Sequence, residues 1–440
     1  MKRTLRTLFL ALLLPATSFA QESFDKAKLD QYFDALNQHN QFMGSVALAK
    51  NGTVIYEKAI GFTDVASQHK ADVTSTYRIG SISKTFTSVL IFKAIETKKL
   101  SLDTKLQKFF PAVKNADKIT ISQLLQHRSG VHSFTSNEDY NTWSSKAHTE
   151  KELVDIIVKG GSDFEPDSKA DYSNSAYVLL TYILEKVNKK PYGTLLKEQI
   201  TEPLGLKHTY LGQGIKPENN EALSYSSKNG WKLEPETHPS VPLGAGAIVS
   251  NPSDLLKFGH ALFTGKLLSA NSLQQMEELK DGYGRGLFPL GFDDKKAFGH
   301  NGGIDGFRST WGFFPSQEVG LAVTSNGASL DVNEVAITLL SATFNKDYTI
   351  PEFSTIKVEE ADLAPYLGGY SSAQIPLKIT ITKEGNKLFA QATGQPSFPL
   401  DPVKKDVFEF KTAKIVIEFN SADNSFILKQ GGQEYAYKKD

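Results

Sequence analysis

Apolar side chains recur at helical spacing in several segments of the chain, and each such segment predicts a helix with a buried face. In residues 24–36 the apolar positions are Leu29, Tyr32, Phe33 and Leu36. The apolar segment that follows Lys84 extends to residue 100 and predicts a buried helix. Further helices are predicted over residues 149–159, 175–187, 252–263 and 330–344, the first of them opened by a Thr-x-x-Glu capping box.

Alternating apolar and polar residues predict strands on both sides of these helices. Residues 44–61 alternate, turn at Asn51-Gly52 and alternate again, which predicts a hairpin because both turn residues tolerate positive φ. Strands are also predicted within residues 282–292, 295–303 and 307–327, the last as a hairpin around Pro315-Ser316-Gln317. Strands from both ends of the region around a helical middle predict the α+β class rather than a parallel sheet.

The pattern changes again at residues 345–353, where we predict a linker. Beyond it, residues 377–394 and 414–439 alternate around Gly- and Asn-containing turns, which predicts a small all-β domain. Tyr366 and Tyr370 are interpreted as part of its core. The predicted organisation is therefore a signal peptide over residues 1–20, a first domain over 21–347 and a C-terminal β domain over 348–440.

The start of the chain is typical of a secretory signal peptide. Residues 1–20 combine basic residues, an apolar run at 8–14 and the small-residue end Ser18-Phe19-Ala20, so cleavage is expected after Ala20. The apolar run is shorter than the roughly 20 residues that span a bilayer, and no later stretch approaches that length. We expect an exported protein without a membrane span, either periplasmic or secreted.

Charge and cysteine content narrow the functional classes. Lys plus Arg and Asp plus Glu number 49 each, so no net field favours nucleic acid as a partner. The chain has no cysteine, which excludes a disulfide scaffold and a thiol nucleophile. The histidines show no metal-ligand spacing, and neither a Walker loop nor a Gly-x-Ser-x-Gly elbow occurs, so we expect no metal and no organic cofactor.

Ser81-x-x-Lys84 at the head of the apolar helix is the first candidate for chemistry. Two side chains three positions apart share a helix face, and burial lowers the pKa of a lysine enough for it to act as a base. A serine at a helix start also caps free N–H groups, so cap and nucleophile remain alternatives. Ser-x-x-Lys occurs four times in the chain, starting at Ser23, Ser67, Ser81 and Ser354, but only the match at Ser81 heads a long apolar helix.

Two later motifs are further candidates. Tyr172-Ser173-Asn174 is the only Tyr-x-Asn in the chain, and it precedes another apolar helix. A structural interpretation makes Asn174 or Ser175 the cap of that helix; a functional one gives Tyr172 a proton-relay role and Asn174 a substrate contact. His300-Asn301-Gly302-Gly303 ends a predicted strand, where paired glycines permit close approach of a ligand or backbone.

These three motifs, in this order, resemble the serine β-lactamase and penicillin-binding-protein superfamily, which pairs Ser-x-x-Lys with Tyr-x-Asn and a Lys/His-x-Gly strand. The segments "LLQHRSGVHSF", "EPLGLKHTY" and "LGAGAIVSNPSDLLKFGHAL" resemble its class C-like branch, and the resemblance covers about residues 24–344. It implies a β-lactamase/transpeptidase-like fold of an antiparallel sheet with flanking helices and a helical subdomain. The tail resembles the β-barrel-like domain found in some exported relatives.

The resemblance also implies an acyl-enzyme serine hydrolase. Ser81 would be the nucleophile, Lys84 and Tyr172 would transfer protons, and the N–H groups of Ser81 and Gly303 would form the oxyanion hole. Asn174, His300 and Gly302 would contribute to substrate binding. His127 and His132 are interpreted as structural, and Ser83 as an ordinary helix-start serine.

The third motif departs from the class C pattern, because His300-Asn301-Gly302 replaces Lys-Thr-Gly. A mostly neutral imidazole is a poor partner for a β-lactam carboxylate. The resemblance thus favours an esterase or peptidase acting on a small-molecule, peptide or cell-wall-like substrate. A D-alanyl-D-alanine carboxypeptidase or class C-type β-lactamase is the alternative enzyme, and a non-turnover penicillin-binding sensor is the alternative outside catalysis. The sequence leaves the oligomeric state open.

Overall fold

A computed structural model of the protein describes residues 25–227, 230–353, 356, 358–410 and 413–440. The predicted signal peptide over residues 1–20 lies outside the described residues. The chain divides into two compact units, with the division between Thr349 and Ile350. No described helix is long and apolar enough to cross a membrane.

The helices of the described chain all lie in the first unit, apart from one 3₁₀ helix. The α-helices are α1 Lys26–Gln38, α2 Ser83–Glu96, α3 Ile121–Leu125, α4 Tyr140–Trp143, α5 Glu150–Gly160, α6 Asn174–Asn188, α7 Tyr192–Leu196, α8 Glu202–Leu204, α9 Pro252–Phe263, α10 Ala270–Glu277 and α11 Val332–Thr343. The 3₁₀ helices are Gly80–Ile82, Leu106–Lys108, Phe134–Ser136, Pro217–Asn219, Leu243–Ala245, Pro315–Gln317 and, in the second unit, Glu360–Tyr366, and a π-helical segment spans Lys197–Thr201.

The strands fall into two groups, one in each unit. The first unit contains β1 Phe42–Lys50, β2 Thr53–Ile60, β3 Phe62–Asp64, β4 His69–Lys70, β5 Tyr77–Arg78, β6 Tyr210–Leu211, β7 Tyr225–Ser226, β8 Lys232–Leu233, β9 Ile248–Ser250, β10 Phe288–Phe292, β11 Lys295–Ile304, β12 Phe307–Phe314 and β13 Val319–Ala328. The second unit contains β14 Gly368–Ser371, β15 Ile379–Glu384, β16 Lys387–Ala392, β17 Phe398–Lys404, β18 Val407–Phe410, β19 Ile415–Asn420, β20 Ser425–Gln430 and β21 Gln433–Lys439.

The central sheet of the first unit is antiparallel throughout, in the order β10-β11-β12-β13-β1-β2. The predicted hairpin joins β1 to β2, and both turn residues, Asn51 and Gly52, have positive φ. Strands β1 and β13 are buried along nearly their whole length, because α9 and α11 both pack against β13. The N-terminal hairpin is therefore placed in the same sheet as the strands predicted some 250 residues later.

A helical layer carries the segments that hold the candidate motifs. Helix α2 packs against α6, and α3 also packs against α6. Eleven of the fourteen residues of α2 are buried, so this helix lies in the core rather than at the surface. The two predicted motifs at the starts of α2 and α6 are thereby brought next to each other.

The second unit is a closed antiparallel barrel of the strands β14 to β21 in chain order, with β21 pairing back onto β14. Its strands alternate as predicted; in β15, Ile379 and Ile381 are buried while Thr380 and Thr382 are exposed. Tyr366 and Tyr370 belong to its apolar core. The predicted α+β class with a C-terminal all-β domain is confirmed.

Several predicted boundaries are wrong by a few residues. Helix α2 ends at Glu96 rather than at residue 100, and strand β10 occupies only Phe288–Phe292 of the predicted residues 282–292. The structural interpretation of the Tyr172 motif is wrong about the cap of α6: Ser173 accepts a hydrogen bond from the Ala176 N–H at 3.2 Å, so neither Asn174 nor Ser175 caps the helix. The Thr149–Glu152 capping box of α5 is present as predicted.

Candidate active site

Ser81 lies in the 3₁₀ turn Gly80–Ile82, directly before α2. Gly80 adopts φ of 52°, a conformation that glycine tolerates best, and this turns the chain into the helix. The residue at the helix boundary, Ile82, provides no side-chain cap. Ser81 is not a cap either, and its half-buried hydroxyl faces Lys84. Ser83 begins α2 as predicted, but its hydroxyl accepts from the distant Ile248 N–H at 3.1 Å.

Lys84 is fully buried and its amine contacts three oxygens. Nζ lies 3.1 Å from Ser81 Oγ, 2.7 Å from Asn174 Oδ1 and 2.8 Å from the Ala245 carbonyl oxygen. Burial without a carboxylate partner lowers the pKa of Lys84 well below its usual 10.5. A neutral amine has two N–H groups and one lone pair. The amide and carbonyl oxygens only accept hydrogen bonds, so in the neutral form of Lys84 the two N–H groups would face them and the lone pair would face the Ser81 hydroxyl.

Tyr172 completes this group from the segment before α6. Lys84 Nζ lies 4.8 Å from the centre of the Tyr172 ring. The Tyr172 hydroxyl is buried and has no hydrogen-bond partner among the described residues. Burial raises the pKa of Tyr172 well above its usual value of 10, and the neighbouring Ser81 hydroxyl opposes this only in part. The phenol is therefore protonated at neutral pH and has a proton to donate.

Asn174 links the two helix starts. Its Oδ1 accepts from Lys84, while its Nδ2 donates to Thr135 Oγ1 at 3.0 Å and its backbone N–H donates to Ser133 Oγ at 3.0 Å. These contacts orient the amide so that its oxygen faces the lysine. The Ser133 and Thr135 hydroxyls are site residues that the sequence analysis did not single out.

His300 lies on β11, next to the Tyr172 ring. Its Nδ1 is 2.6 Å from the carbonyl oxygen of Asn301, which only accepts, so Nδ1 carries the proton and Nε2 is left as an acceptor. Nε2 is buried and has no partner in the described part of the chain. Burial lowers the pKa of His300 to about 3, so the ring is neutral in the physiological range.

Gly302 and Gly303 lie where β11 meets the Ser81 turn. A Cβ on Gly302 would stand 2.0 Å from the Ile79 carbonyl oxygen, so no side chain fits at this position. A Cβ on Gly80 would stand 2.7 Å from the Gly303 backbone nitrogen. The strand therefore approaches the turn by its backbone, and the Gly303 N–H lies beside the residue that precedes Ser81. All seven predicted site residues lie in one region of the structure.

His127, interpreted from the sequence as structural, contacts Tyr172 and the residue on each side of it. Its ring stacks on the Tyr172 ring with centroids 4.3 Å apart. Its carbonyl oxygen accepts from the Asp171 N–H at 2.9 Å, and its Nδ1 accepts from the Ser173 N–H at 3.1 Å. Burial lowers the pKa of His127 well below 6.5, which keeps Nδ1 available as an acceptor. In the sequence, only the position of His127 within the segment "LLQHRSGVHSF" indicated that this residue is near the site. His132 instead contacts Asp163 and Asn137.

A cleft of about 650 Å³ opens beside Ser81 and is bounded by the segment that contains Ala245. Phe134 and Tyr140 form an apolar part of its wall, and Glu234, Glu236 and Asp305 contribute carboxylates. Arg78, buried next to this wall, pairs with Glu236 and with Asp305. Within the described ranges no three His, Asp or Glu side chains are grouped as a metal site.

Comparison with known proteins gives three informative similarities besides a family match. The family model Beta-lactamase matches residues 29–343. Penicillin-binding protein 4* of Bacillus subtilis (strain 168) is 26% identical over 438 residues, covering 92% of this chain and 97% of that protein. The D-amino acid amidase of Ochrobactrum anthropi SV3 superposes with a TM-score of 0.65 at 28% identity, covering 72% of this chain and 98% of that one. An octameric penicillin-binding protein homologue from Pyrococcus abyssi superposes with a TM-score of 0.68 at 25% identity over 94% of this chain and 100% of the other.

Proposed function

The chain belongs to the Beta-lactamase family of serine hydrolases, and from this we propose that it is an exported enzyme that cleaves an ester, peptide or amide bond through an acyl-Ser81 intermediate. One observation carries the proposal. Lys84 Nζ donates to two oxygens that only accept, Asn174 Oδ1 and the Ala245 carbonyl, and lies 3.1 Å from Ser81 Oγ, so a neutral Lys84 is placed to take the serine proton as a general base.

In the proposed acylation, Ser81 Oγ attacks the carbonyl carbon of the substrate and its proton passes to Lys84 Nζ. The carbonyl oxygen becomes negative as the tetrahedral intermediate forms, and the N–H groups of Ser81 and Gly303 are proposed to stabilise it. The close approach between Gly80 and the Gly303 nitrogen supports this pairing. The position of Ser81 before α2 favours negative charge there as well.

Collapse of the intermediate breaks the bond to the leaving nitrogen or oxygen, which must gain a proton. We assign this proton to the Tyr172 hydroxyl, which then regains one from the Lys84 ammonium. The raised pKa of Tyr172 supports the role, because the phenol holds its proton until the leaving group takes it. Water then attacks the acyl carbon and gives a proton to Lys84 Nζ. The bond between the acyl carbon and Ser81 Oγ breaks as Lys84 returns this proton to Oγ, which releases the acid and regenerates Ser81. Asn174, His300 and Gly302 are proposed to position the substrate.

The substrate is proposed to be an amide, ester or peptide rather than a penicillin. His300 is neutral and presents an acceptor, so it is unsuited to hold a carboxylate. The similarity to a D-amino acid amidase supports D-amino acid amides as the first substrates to test. A D-alanyl-D-alanine carboxypeptidase or a class C-type β-lactamase is the alternative hydrolase. A penicillin-binding sensor that acylates without turnover is the alternative outside catalysis.

The test is covalent labelling of the purified protein with a fluorophosphonate and, separately, with a fluorescent penicillin, followed by peptide mass spectrometry. We expect the fluorophosphonate adduct on Ser81, and hydrolysis of short-chain p-nitrophenyl esters that Ser81→Ala abolishes. Ser67→Ala is the matched control, because Ser67 also heads a Ser-x-x-Lys but is exposed and donates its hydroxyl hydrogen bond to Asp64. No adduct on Ser81 from either probe would refute the nucleophile assignment.

The same experiment separates the alternatives. Rapid nitrocefin hydrolysis that Ser81→Ala removes would identify a β-lactamase. A penicillin adduct that persists, with no ester turnover, would identify a sensor. Export is tested by expressing the full chain in a bacterial host and sequencing the mature N-terminus, which we expect to be Gln21.

A further inference from the structure

The 3₁₀ turn Leu243–Ala245 supplies one of the three oxygens around the Lys84 amine. The Ala245 carbonyl oxygen lies 2.8 Å from Lys84 Nζ, and both residues are buried. Leu243 adopts φ of 38°, a left-handed conformation that a residue other than glycine keeps only where neighbouring contacts hold it. The contacts that hold this turn therefore also set the geometry around the lysine.

Thr87, one helical turn after Lys84 on α2, holds this turn directly. Its Oγ1 donates to the Gly244 carbonyl oxygen at 2.7 Å and lies 2.7 Å from the Tyr192 hydroxyl oxygen. The single hydroxyl proton of Thr87 goes to the carbonyl, which only accepts, so the Tyr192 hydroxyl donates to Thr87 Oγ1. Burial raises the pKa of Tyr192 above its usual value of 10, so the phenol keeps the proton that this bond needs. The hydrogen bonds thus run from Tyr192 through Thr87 to the backbone of the turn.

The Thr87 hydroxyl lies where water has no room to replace it. The exposed fractions of Thr87 and Tyr192 are 0% and 1%. Gly244 is packed as tightly, because a Cβ there would stand 2.5 Å from both Thr87 Oγ1 and Thr181 Oγ1. Removal of the Thr87 hydroxyl would therefore leave the Gly244 carbonyl oxygen buried without a donor, which favours movement of the turn away from α2.

Thr85 provides a matched comparison within the same helix. It is as buried as Thr87, and its Oγ1 also donates to a backbone carbonyl oxygen, that of Gly286, at 2.8 Å. Gly286 accepts no hydrogen bond from the Lys84 amine, whose partners among the described residues are Ser81, Asn174 and Ala245. The two threonines thus make the same kind of bond, but only Thr87 holds a segment that contacts the lysine.

We propose that Thr87 is a positioning residue for Lys84: it holds the Leu243–Ala245 turn so that the Ala245 carbonyl oxygen meets the lysine amine. This inference rests on the proposed hydrolase function, in which Lys84 acts as the base. The Ala245 carbonyl takes one N–H of the neutral amine, which helps to keep the lone pair directed at Ser81 Oγ. Without the Thr87 hydroxyl the turn moves, and the lone pair faces the serine for a smaller fraction of the time.

Four titratable side chains lie close to the Lys84 amine. The centres of the Tyr172 and Tyr177 rings are 4.8 and 5.5 Å from Nζ, and burial raises the pKa of both phenols above 10. Burial lowers the pKa of His127 well below 6.5 and that of His300 to about 3. Only Lys84 is expected to titrate between the two histidines and the two tyrosines, so its pKa sets the acidic limb of kcat/KM.

The test measures p-nitrophenyl acetate hydrolysis against pH for the wild type, Thr87→Val and Thr85→Val. Valine keeps the shape of threonine and removes the hydroxyl. In Thr87→Val we expect kcat to fall about tenfold with little change in KM. The acidic limb of kcat/KM should move by about one unit to lower pH, because the Lys84 ammonium loses an acceptor. Thr87→Ser, which keeps the hydroxyl, should restore both, and Thr85→Val should keep the wild-type kcat and limb.

Each result decides for or against the role of Thr87. An unchanged limb in Thr87→Val, or an equal shift in Thr85→Val, overturns the inference. A limb that moves to higher pH also overturns it, because water entering the site, rather than the loss of an acceptor, raises the pKa of a buried lysine.

Two further measurements keep the outcomes distinct. If Thr87→Val does not fold, Thr87→Cys takes its place, because a thiol is a weak donor, and its limb should shift in the same direction. Fluorophosphonate labelling of wild-type Ser81 is measured separately. With that labelling intact, a negative result for Thr87 overturns only this inference; without it the hydrolase proposal fails, and the inference with it.

Discussion

Replacing Lys84 by methionine should change the pH dependence of folding stability in a way that no other single substitution at this site does. The Lys84 amine is buried, and its three oxygen partners carry no negative charge. Burial lowers the pKa of this amine in the folded protein well below 10.5, whereas the unfolded chain exposes an ordinary lysine. Over the pH range between these two values, unfolding takes up a proton.

The size of the pH effect on the free energy of unfolding follows from proton linkage. Stability changes by about 1.4 kcal/mol per pH unit for each proton taken up on unfolding, and it rises with pH when the unfolded chain binds the extra proton. Above pH 10.5, the titration of Lys84 therefore does not reduce the free energy of unfolding. This free energy falls as the pH falls from 10.5 towards the folded-state pKa. Between pH 8.5 and 10.0, the wild type should gain up to about 2 kcal/mol relative to Lys84→Met, a limit reached when the folded-state amine is neutral throughout this range and the unfolded lysine is partly deprotonated.

The pH slope is more informative than the stability difference at one pH. Lys84→Met also removes the donors to Asn174 Oδ1 and the Ala245 carbonyl, and each unsatisfied buried acceptor costs about 1–3 kcal/mol. That loss is independent of pH and cancels in the slope. Tyrosines and other groups that titrate in this range are present in both proteins and cancel as well.

The assay is urea unfolding at pH 8.5 and 10.0, followed by tryptophan fluorescence. All three tryptophans, Trp143, Trp231 and Trp311, lie in the first unit, so the signal reports the unit that contains Lys84. Lys146→Met is the control, because Lys146 is exposed, and it should follow the wild type. Equal slopes for wild type and Lys84→Met would mean that the folded protein keeps Lys84 protonated, and the general-base assignment would fail.

Three further predictions follow from contacts around the site. Gly302→Ala should cost about 1–3 kcal/mol or more, because its Cβ would stand 2.0 Å from a carbonyl oxygen, whereas Gly303→Ala, with 3.7 Å of clearance, should keep the wild-type denaturation midpoint. Arg78→Met should cost about 3–5 kcal/mol in urea unfolding, because it leaves Asp305 buried without a cation; a shift below 1 kcal/mol contradicts this. His127→Phe keeps a ring stacked on Tyr172 but removes the acceptor of the Ser173 N–H. The rate of Ser81 labelling by the fluorophosphonate should therefore fall roughly tenfold, with little change in the KM for p-nitrophenyl ester hydrolysis. Unchanged kinetics would show that this acceptor is dispensable.

Local structure was predictable wherever neighbouring residues decide it. Periodicity located α1, α5, α6, α9 and α11 to within a few residues, and Asn51-Gly52 specified its hairpin because both residues adopt positive φ at little cost. The assignment of the α6 cap failed because Asn174, Ser175 and Ser173 are all competent caps. The choice between them depends on Lys84, which takes the Asn174 oxygen, and this contact is not local.

The candidate site likewise combines features that the sequence shows with features that depend on distant contacts. The motifs and their order were readable from the chain, and the family match is consistent with them. The contacts of His127 with the site were not readable from the sequence, because this histidine belongs to no distinctive pattern. His127 acts through backbone and ring contacts to a segment more than 40 residues away.

Local sequence patterns were enough to predict the longer helices and strands, the change from an α+β region to a β region, and the motifs that carry candidate chemistry. The tertiary structure alone decided the strand order, the closure of the barrel and the environment of each functional group. The physical reason is that a lysine pKa or a carboxylate charge depends on solvent exclusion and on partners within a few ångströms. For Lys84 those partners, Asn174 and Ala245, lie 90 and 161 positions along the chain, and only packing of α2 against α6 brings the first of them into reach.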